Sequence, residues 1–207
     1  MSNSGIEQIM RLAPVIPVIV IDRVEDAVPM AEALVAGGLR VLEVTMRTPA
    51  ALEAIAVMKK VPGAVVGAGT VLNPRMLNAA LDAGSEFIVS PGLTDTLGEA
   101  AVASSIPFLP GVANASNIMA GLDLGLDSFK FFPAATSGGI PALKALAGPF
   151  GGVNFCPTGG ISAATAPEWL ALGPVLCVGG SWVVPSGPLD TVKIEALARE
   201  ASALSGH

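Results

Sequence analysis

Two kinds of segment alternate along this chain. Short runs of apolar, β-branched residues give way to Ala- and Leu-rich stretches in which apolar positions recur every three to four residues, with polar turns between them. The first kind suits a strand buried on both faces, and the second a helix that packs by one face. On this pattern strands are predicted at residues 15–21, 39–45, 64–69, 86–90, 106–110, 127–132, 153–158 and 174–180. Helices are predicted at 25–36, 50–60, 76–83 and 117–124, with a further helix ahead of the first strand. Several helical stretches run into glycine, as at Gly37-Gly38 and Gly84, where a left-handed residue closes a helix at least cost. Eight strands alternating with helices predict an α/β protein, a (β/α)8 TIM barrel in one domain spanning residues 1–207. An open, doubly wound sheet has the same alternation, and the near-uniform strand spacing favours the barrel over it.

Composition narrows this picture. With 52% hydrophobic and 14% charged residues the chain can bury a large core. The uncharged stretch 169–189 is long enough for a membrane span, but Gly173, Pro174, Gly179, Gly180, Pro185, Gly187 and Pro188 interrupt it. A buried strand with flanking turns is the better reading. The N-terminus lacks the basic region and apolar core of a targeting signal, so a cytoplasmic location is expected. Cys156 and Cys177 sit in apolar runs and suggest neither a disulfide framework nor a zinc site. A net charge of −6, with no basic cluster beyond Lys59-Lys60, argues against nucleic acid as a partner.

In a barrel of this kind the chemistry gathers at the C-terminal ends of the strands. The second strand ends in Glu43, Val44, Thr45, Met46 and Arg47, and its period of two puts Glu43 and Thr45 on one face. If Leu42 and Val44 face the helices, Glu43 points inward, as either a general base or half of an internal ion pair. Lys130 stands among Phe129, Phe131 and Phe132 on the sixth strand, whereas Lys59, Lys60, Lys144 and Lys193 fall on predicted helices. An amine among aromatic neighbours is desolvated, which favours the neutral form that attacks carbonyls; the alternative is a snorkelling or ion-paired lysine. The seventh and eighth strands end in Gly159-Gly160 and Gly179-Gly180-Ser181, loops whose amides suit a phosphate, although such pairs also serve as plain turns. The one histidine is His207, which disfavours histidine-centred acid–base chemistry and the histidine-bearing metal sites of barrel enzymes.

Six motifs in order, VLEVTMRT (41–48), GAGTV (67–71), SPG (90–92), KFFP (130–133), FCPTGGI (155–161) and GGSW (179–182), give the chain a strong resemblance to the 2-keto-3-deoxy-6-phosphogluconate aldolases. That family includes 4-hydroxy-2-oxoglutarate aldolase activity, and the likeness runs over nearly the whole chain. The resemblance implies a homotrimer of barrels acting in Entner–Doudoroff breakdown of sugar acids, with no metal and no cofactor. It makes Lys130 the Schiff-base lysine and Glu43 the general acid and base. It gives the substrate carboxylate to Arg47 and Thr70, with Pro91 and Phe132 beside the substrate. Thr158 corresponds to a contact with the aldehyde portion, and Gly159, Gly160 and Ser181 to a phosphate cradle. Two loops depart from the family pattern: Ala135-Thr136 replaces a common Glu-Ala pair, and Asn114-Ala115-Ser116 replaces a turn that often contains proline.

The expected substrate is therefore a phosphorylated keto acid. Rival readings are the same chemistry on the C4-epimeric galactonate derivative or on unphosphorylated 4-hydroxy-2-oxoglutarate, a phosphosugar isomerase or epimerase, and a barrel that binds phosphate without turnover. An isomerase would tolerate Lys130→Arg, because it needs a charge and not a nucleophile.

Overall fold

The computed structural model describes residues 4–204, so His207 lies outside the described residues. Among the described residues nine strand segments, all paired in parallel, curl into a half-barrel flanked by helices. In chain order they are β1 (Val15–Ile19), β2 (Val41–Thr45), β3 (Val65–Gly69), β4 (Ile88–Val89), β5 (Phe108–Leu109), β6 (Gly111–Val112), β7 (Ser128–Phe131), β8 (Asn154–Pro157) and β9 (Val178–Gly180). Six form one sheet in the order β5-β4-β3-β2-β1-β9, and three form another in the order β6-β7-β8.

The helices are α1 (Ser4–Met10), α2 (Ala27–Ala36), α3 (Ala51–Met58), α4 (Pro74–Asp82), α5 (Asp95–Ser104), α6 (Ala115–Asp123), α7 (Gly139–Ala147), α8 (Ala166–Leu170) and α9 (Thr191–Ser202). Among the described residues no helix is long and apolar enough to cross a membrane.

Four predicted boundaries are corrected. The run expected to end at Pro110 continues to Val112, because Pro110 lacks an N–H but still accepts a hydrogen bond from Lys130 N–H at 2.9 Å. Residues 108–112 therefore pair with β4 at one end and β7 at the other, and join the two sheets. The strand predicted at 174–180 is regular only from Val178, with a single bridge from Phe155 to Val175 before it. The helix predicted at 25–36 begins as a tight 3-10 turn, Val24–Asp26, and Lys59-Lys60 follow the end of α3 instead of forming its last turn.

Alternation along the strands separates two cores. Leu42, Val44, Phe129, Phe131, Phe155 and Val178 face the helices and belong to the large outer cluster. The inner cluster holds Ile16, Val41, Phe87, Val89, Leu109, Cys156 and Cys177, and α1 closes its lower end with Ile6 and Met10. Burial of each of these large side chains stabilises the fold by roughly 1.5–3 kcal/mol, so the interior is a packed core and not a channel. Glu43 and Lys130 alternate with the outer residues on β2 and β7 and so point inward, above that core.

Candidate active site

Glu43 and Lys130 meet although they lie 87 positions apart in the sequence. Lys130 Nζ donates to Glu43 Oε1 at 3.0 Å and to Oε2 at 3.3 Å, and the two side chains are 7% and 4% exposed. The ammonium lies 5.4 Å from the centroid of the Phe132 ring, within range of a cation–π attraction. Of the alternatives raised for these residues, the geometry shows the internal ion pair, a buried contact between an amine and a carboxylate.

Gly69 makes room for the pair. A Cβ at that position would lie 2.3 Å from Glu43 Oε1, closer than atoms can approach. Gly179 does the same for Thr158, whose Oγ1 would be 2.2 Å from an added Cβ. Thr158 is buried and stands 3.8 Å from the sulfur of Cys156. Neither glycine was singled out from the sequence as a steric requirement. Their only signal was a residue without a side chain at an inward strand position beside a longer one.

Arg47 and Thr70 are brought together where β2 and β3 end, with Arg47 Nε donating to Thr70 Oγ1 at 3.4 Å. Among the described residues no carboxylate lies within ion-pair distance of Arg47, which leaves its charge available. Thr70 adopts φ 60°, a left-handed conformation that is rare for a β-branched residue and characteristic of functional sites. Pro91 follows the buried Ser90, whose hydroxyl donates to Gly92 O at 2.7 Å. The Pro91 carbonyl passes so close to Gly111 that a Cβ there would lie 2.1 Å from it, and Gly111 is the register partner of Lys130.

On the opposite side, Gly159 and Gly160 take φ values of 102° and 73°. The Thr158 and Gly159 carbonyls accept from Ala134 and Ala135 N–H at 2.8 and 3.0 Å, which fixes this turn. The turn follows directly on Thr158, which forms a parallel bridge with Gly179 of β9 and so sets the two glycine-bearing strand ends side by side. An added Cβ at Gly159 would lie 3.4 Å from the Phe132 ring, so the turn stands beside the Lys130 neighbourhood. Ser181 is exposed at the end of β9 and lines a cleft of about 920 Å³ with residues of the first and last loops.

Beneath the ion pair, Cys156 and Cys177 form part of the interior. Contact with the Cys156 thiol, then burial, then negative charge at Cys156 and Glu43 hold the Cys177 thiol well above its ordinary pKa of 9.0. Both cysteines are unpaired by any disulfide. Among the described residues no group of three or more His, Cys, Asp or Glu side chains is arranged to hold a metal ion.

Comparison with known proteins gives this geometry its context. The sequence model for KDPG and KHG aldolase matches residues 6–199. The chain belongs to the KDPG and KHG aldolase family. A 2-dehydro-3-deoxy-phosphogluconate aldolase of Zymomonas mobilis is 66% identical over 198 residues, covering 96% of this chain and 95% of the relative. Among solved structures, the 2-keto-3-deoxy-6-phosphogluconate aldolase of Zymomonas mobilis ZM4 with 3-phosphoglycerate superposes with a TM-score of 0.98 at 63% identity, covering 99% of this chain and 98% of that one. The KDPG aldolase of Legionella pneumophila, with pyruvate captured as a covalent carbinolamine intermediate, superposes with a TM-score of 0.90 at 47% identity, covering 97% and 98% of the two chains. These KDPG and KHG aldolase relatives are thus similar to the chain over almost their whole length.

Proposed function

We propose that this chain is a class I aldolase that cleaves 2-dehydro-3-deoxy-6-phosphogluconate to pyruvate and D-glyceraldehyde 3-phosphate, and also 4-hydroxy-2-oxoglutarate to pyruvate and glyoxylate. The observation that carries the reading is the buried contact of Lys130 Nζ with both oxygens of Glu43. A lysine held as an ammonium against a carboxylate is one proton transfer away from being a nucleophile. As the keto acid enters, the proton moves from Nζ to Glu43, and the freed amine attacks the C2 carbonyl. Glu43 returns the proton to the C2 oxygen, a second proton passes from the nitrogen to the same oxygen, water leaves, and an iminium forms. The carboxylate then takes the C4 hydroxyl proton, through a water, while the C3–C4 bond breaks and its electrons move onto the iminium. The aldehyde leaves, the resulting enamine is protonated at C3, and hydrolysis frees pyruvate and restores the amine.

The remaining residues suit recognition. Arg47 offers an uncompensated guanidinium fork for the substrate carboxylate, with Thr70 at its base. Pro91 and Phe132 border the keto-acid portion, and Thr158 meets the aldehyde portion. The left-handed turn at Gly159 and Gly160, with Ser181, suits the phosphate. The reaction requires no metal or organic cofactor. The half-barrel is completed as a (β/α)8 barrel in a single domain, a reading supported by the shared run 108–112 and by bridges from Phe155 to Val175 and from Thr158 to Gly179. The working form is a cytoplasmic homotrimer with a small-molecule partner and neither nucleic acid nor membrane.

The test is to incubate the protein with pyruvate, add borohydride and map the modified peptide. A reduced pyruvyl adduct on Lys130 is expected. Absence of any adduct on folded protein overturns the reading and favours an isomerase or a silent phosphate-binding barrel.

A further inference from the structure

The segment that carries Arg47 is fastened from two sides. Towards β3, Met46 N–H donates to Gly69 O at 2.8 Å and Arg47 Nε reaches Thr70. Towards β1, two threonine hydroxyls take over where the backbone ladder stops. The pairing of β1 with β2 runs as far as Ile19 opposite Val44. Beyond it Thr45 Oγ1 donates to Ile19 O at 2.8 Å, and Thr48 Oγ1 donates to Ile21 O. Thr48 has a second tie, because its own carbonyl accepts from Ala51 N–H at 3.3 Å, at the start of α3.

Arg47 is exposed and has no carboxylate partner among the described residues, so no ion pair aims it. Its direction is set by Thr70 at its side and by a backbone held at Thr45 and Thr48. A guanidinium fork recognises a carboxylate only over a narrow range of angles, so small rotations of this backbone are felt as affinity.

We propose that Thr48 is a positioning residue for recognition of the substrate carboxylate, acting through Arg47 by way of the hydrogen bond to the Ile21 carbonyl. This rests on the reading above that Arg47 holds that carboxylate. Threonine supplies both the donor and a methyl group that fits the half-buried site. Valine keeps the shape without the donor, and serine keeps the donor without the methyl.

The test is steady-state kinetics of Thr48→Val and Thr48→Ser with 2-dehydro-3-deoxy-6-phosphogluconate, together with Arg47→Ala and the Arg47→Ala/Thr48→Val double variant. Loss of one neutral hydrogen bond predicts that Thr48→Val raises KM about 3- to 10-fold with kcat changed less than about 2-fold. Thr48→Ser is expected to keep KM near that of the parent. In the Arg47→Ala background the valine substitution is expected to have no further effect on KM, since the residue through which it acts is gone. Equal penalties for the serine and valine variants, a fall in kcat in place of a rise in KM, or additive effects in the double variant would each overturn the proposal. If Thr48→Val does not fold, Thr48→Cys, of similar size and weaker as a donor, is read by the same criteria. The parent enzyme's borohydride-trapped pyruvate adduct separates the two levels: without it the aldolase reading fails, and with it an additive cycle sinks only the role of Thr48.

Discussion

The contact between Lys130 and Glu43 should dominate the response of this fold to mutation. At 3.0 Å, with an effective dielectric constant of about 20, the Coulomb attraction is about 5–6 kcal/mol, which offsets a desolvation cost of several kcal/mol per ion. Removing one partner leaves the cost without the attraction. Lys130→Met and Glu43→Met, which keep unbranched side chains of similar length, should therefore each lower unfolding free energy by about 3–5 kcal/mol. For a chain of this size that corresponds to about 6–20 °C in Tm. The double variant has no buried charge at the site and should lie within about 1 kcal/mol of the parent, or above it. Urea unfolding of all four proteins at one protein concentration reads the cycle directly, and fixed concentration matters if subunits associate. All three variants should lack aldolase activity, and those at Lys130 should also lack the borohydride-trapped adduct. The reasoning fails if the double variant loses the sum of the single losses, or if each single variant loses less than about 1 kcal/mol.

Two further predictions follow from close contacts at the site. Because the Cys177 thiol is held well above 9.0 in the folded chain, the folded state keeps that proton when the unfolded state releases it. Its contribution to stability is whole below the unfolded pKa and is lost as pH rises towards the folded one, by about 1–2 kcal/mol between pH 8 and pH 10. Cys177→Ser should show a shallower alkaline loss than the parent in urea unfolding, and equal slopes would refute the assignment. Gly69→Ala would drive a methyl group into Glu43 Oε1, so it should cost about 1–3 kcal/mol of stability and about 100-fold in kcat by moving the base from Lys130. Gly173→Ala, where nothing lies within 4 Å of the added atom, is the matched control, and equal effects of the two would remove the steric argument.

What the sequence discloses is set by how local the responsible physics is. Lys130 and Glu43 were legible because alternation with outward apolar neighbours aims a side chain without reference to anything distant. Their pairing could be expected only as one of two alternatives, and it is the ion pair that the structure shows. Strand ends were less legible where backbone groups find other partners. Glu86 lies outside β4, yet its carboxylate accepts from Val66 N–H at 2.9 Å, so a side chain does work that a continuing ladder would otherwise do. Pro110 reads as a stop in sequence because it cannot donate, and passes as part of a strand run in space because its carbonyl still accepts. The glycines were the least legible. Gly69 resembles ordinary punctuation, and Gly179 only a loop glycine suited to an anion, until Glu43 and Thr158 are seen in the space a Cβ would occupy. Thr48 belongs with them: its hydroxyl reaches a carbonyl 27 residues earlier, a partner that no periodicity within β2 can reveal. Residues that carry chemical groups were thus found from local pattern, and residues that aim those groups required the neighbouring strand. The same division explains why changes at Gly69 and Thr48 should alter the reaction while every group named in its mechanism remains present.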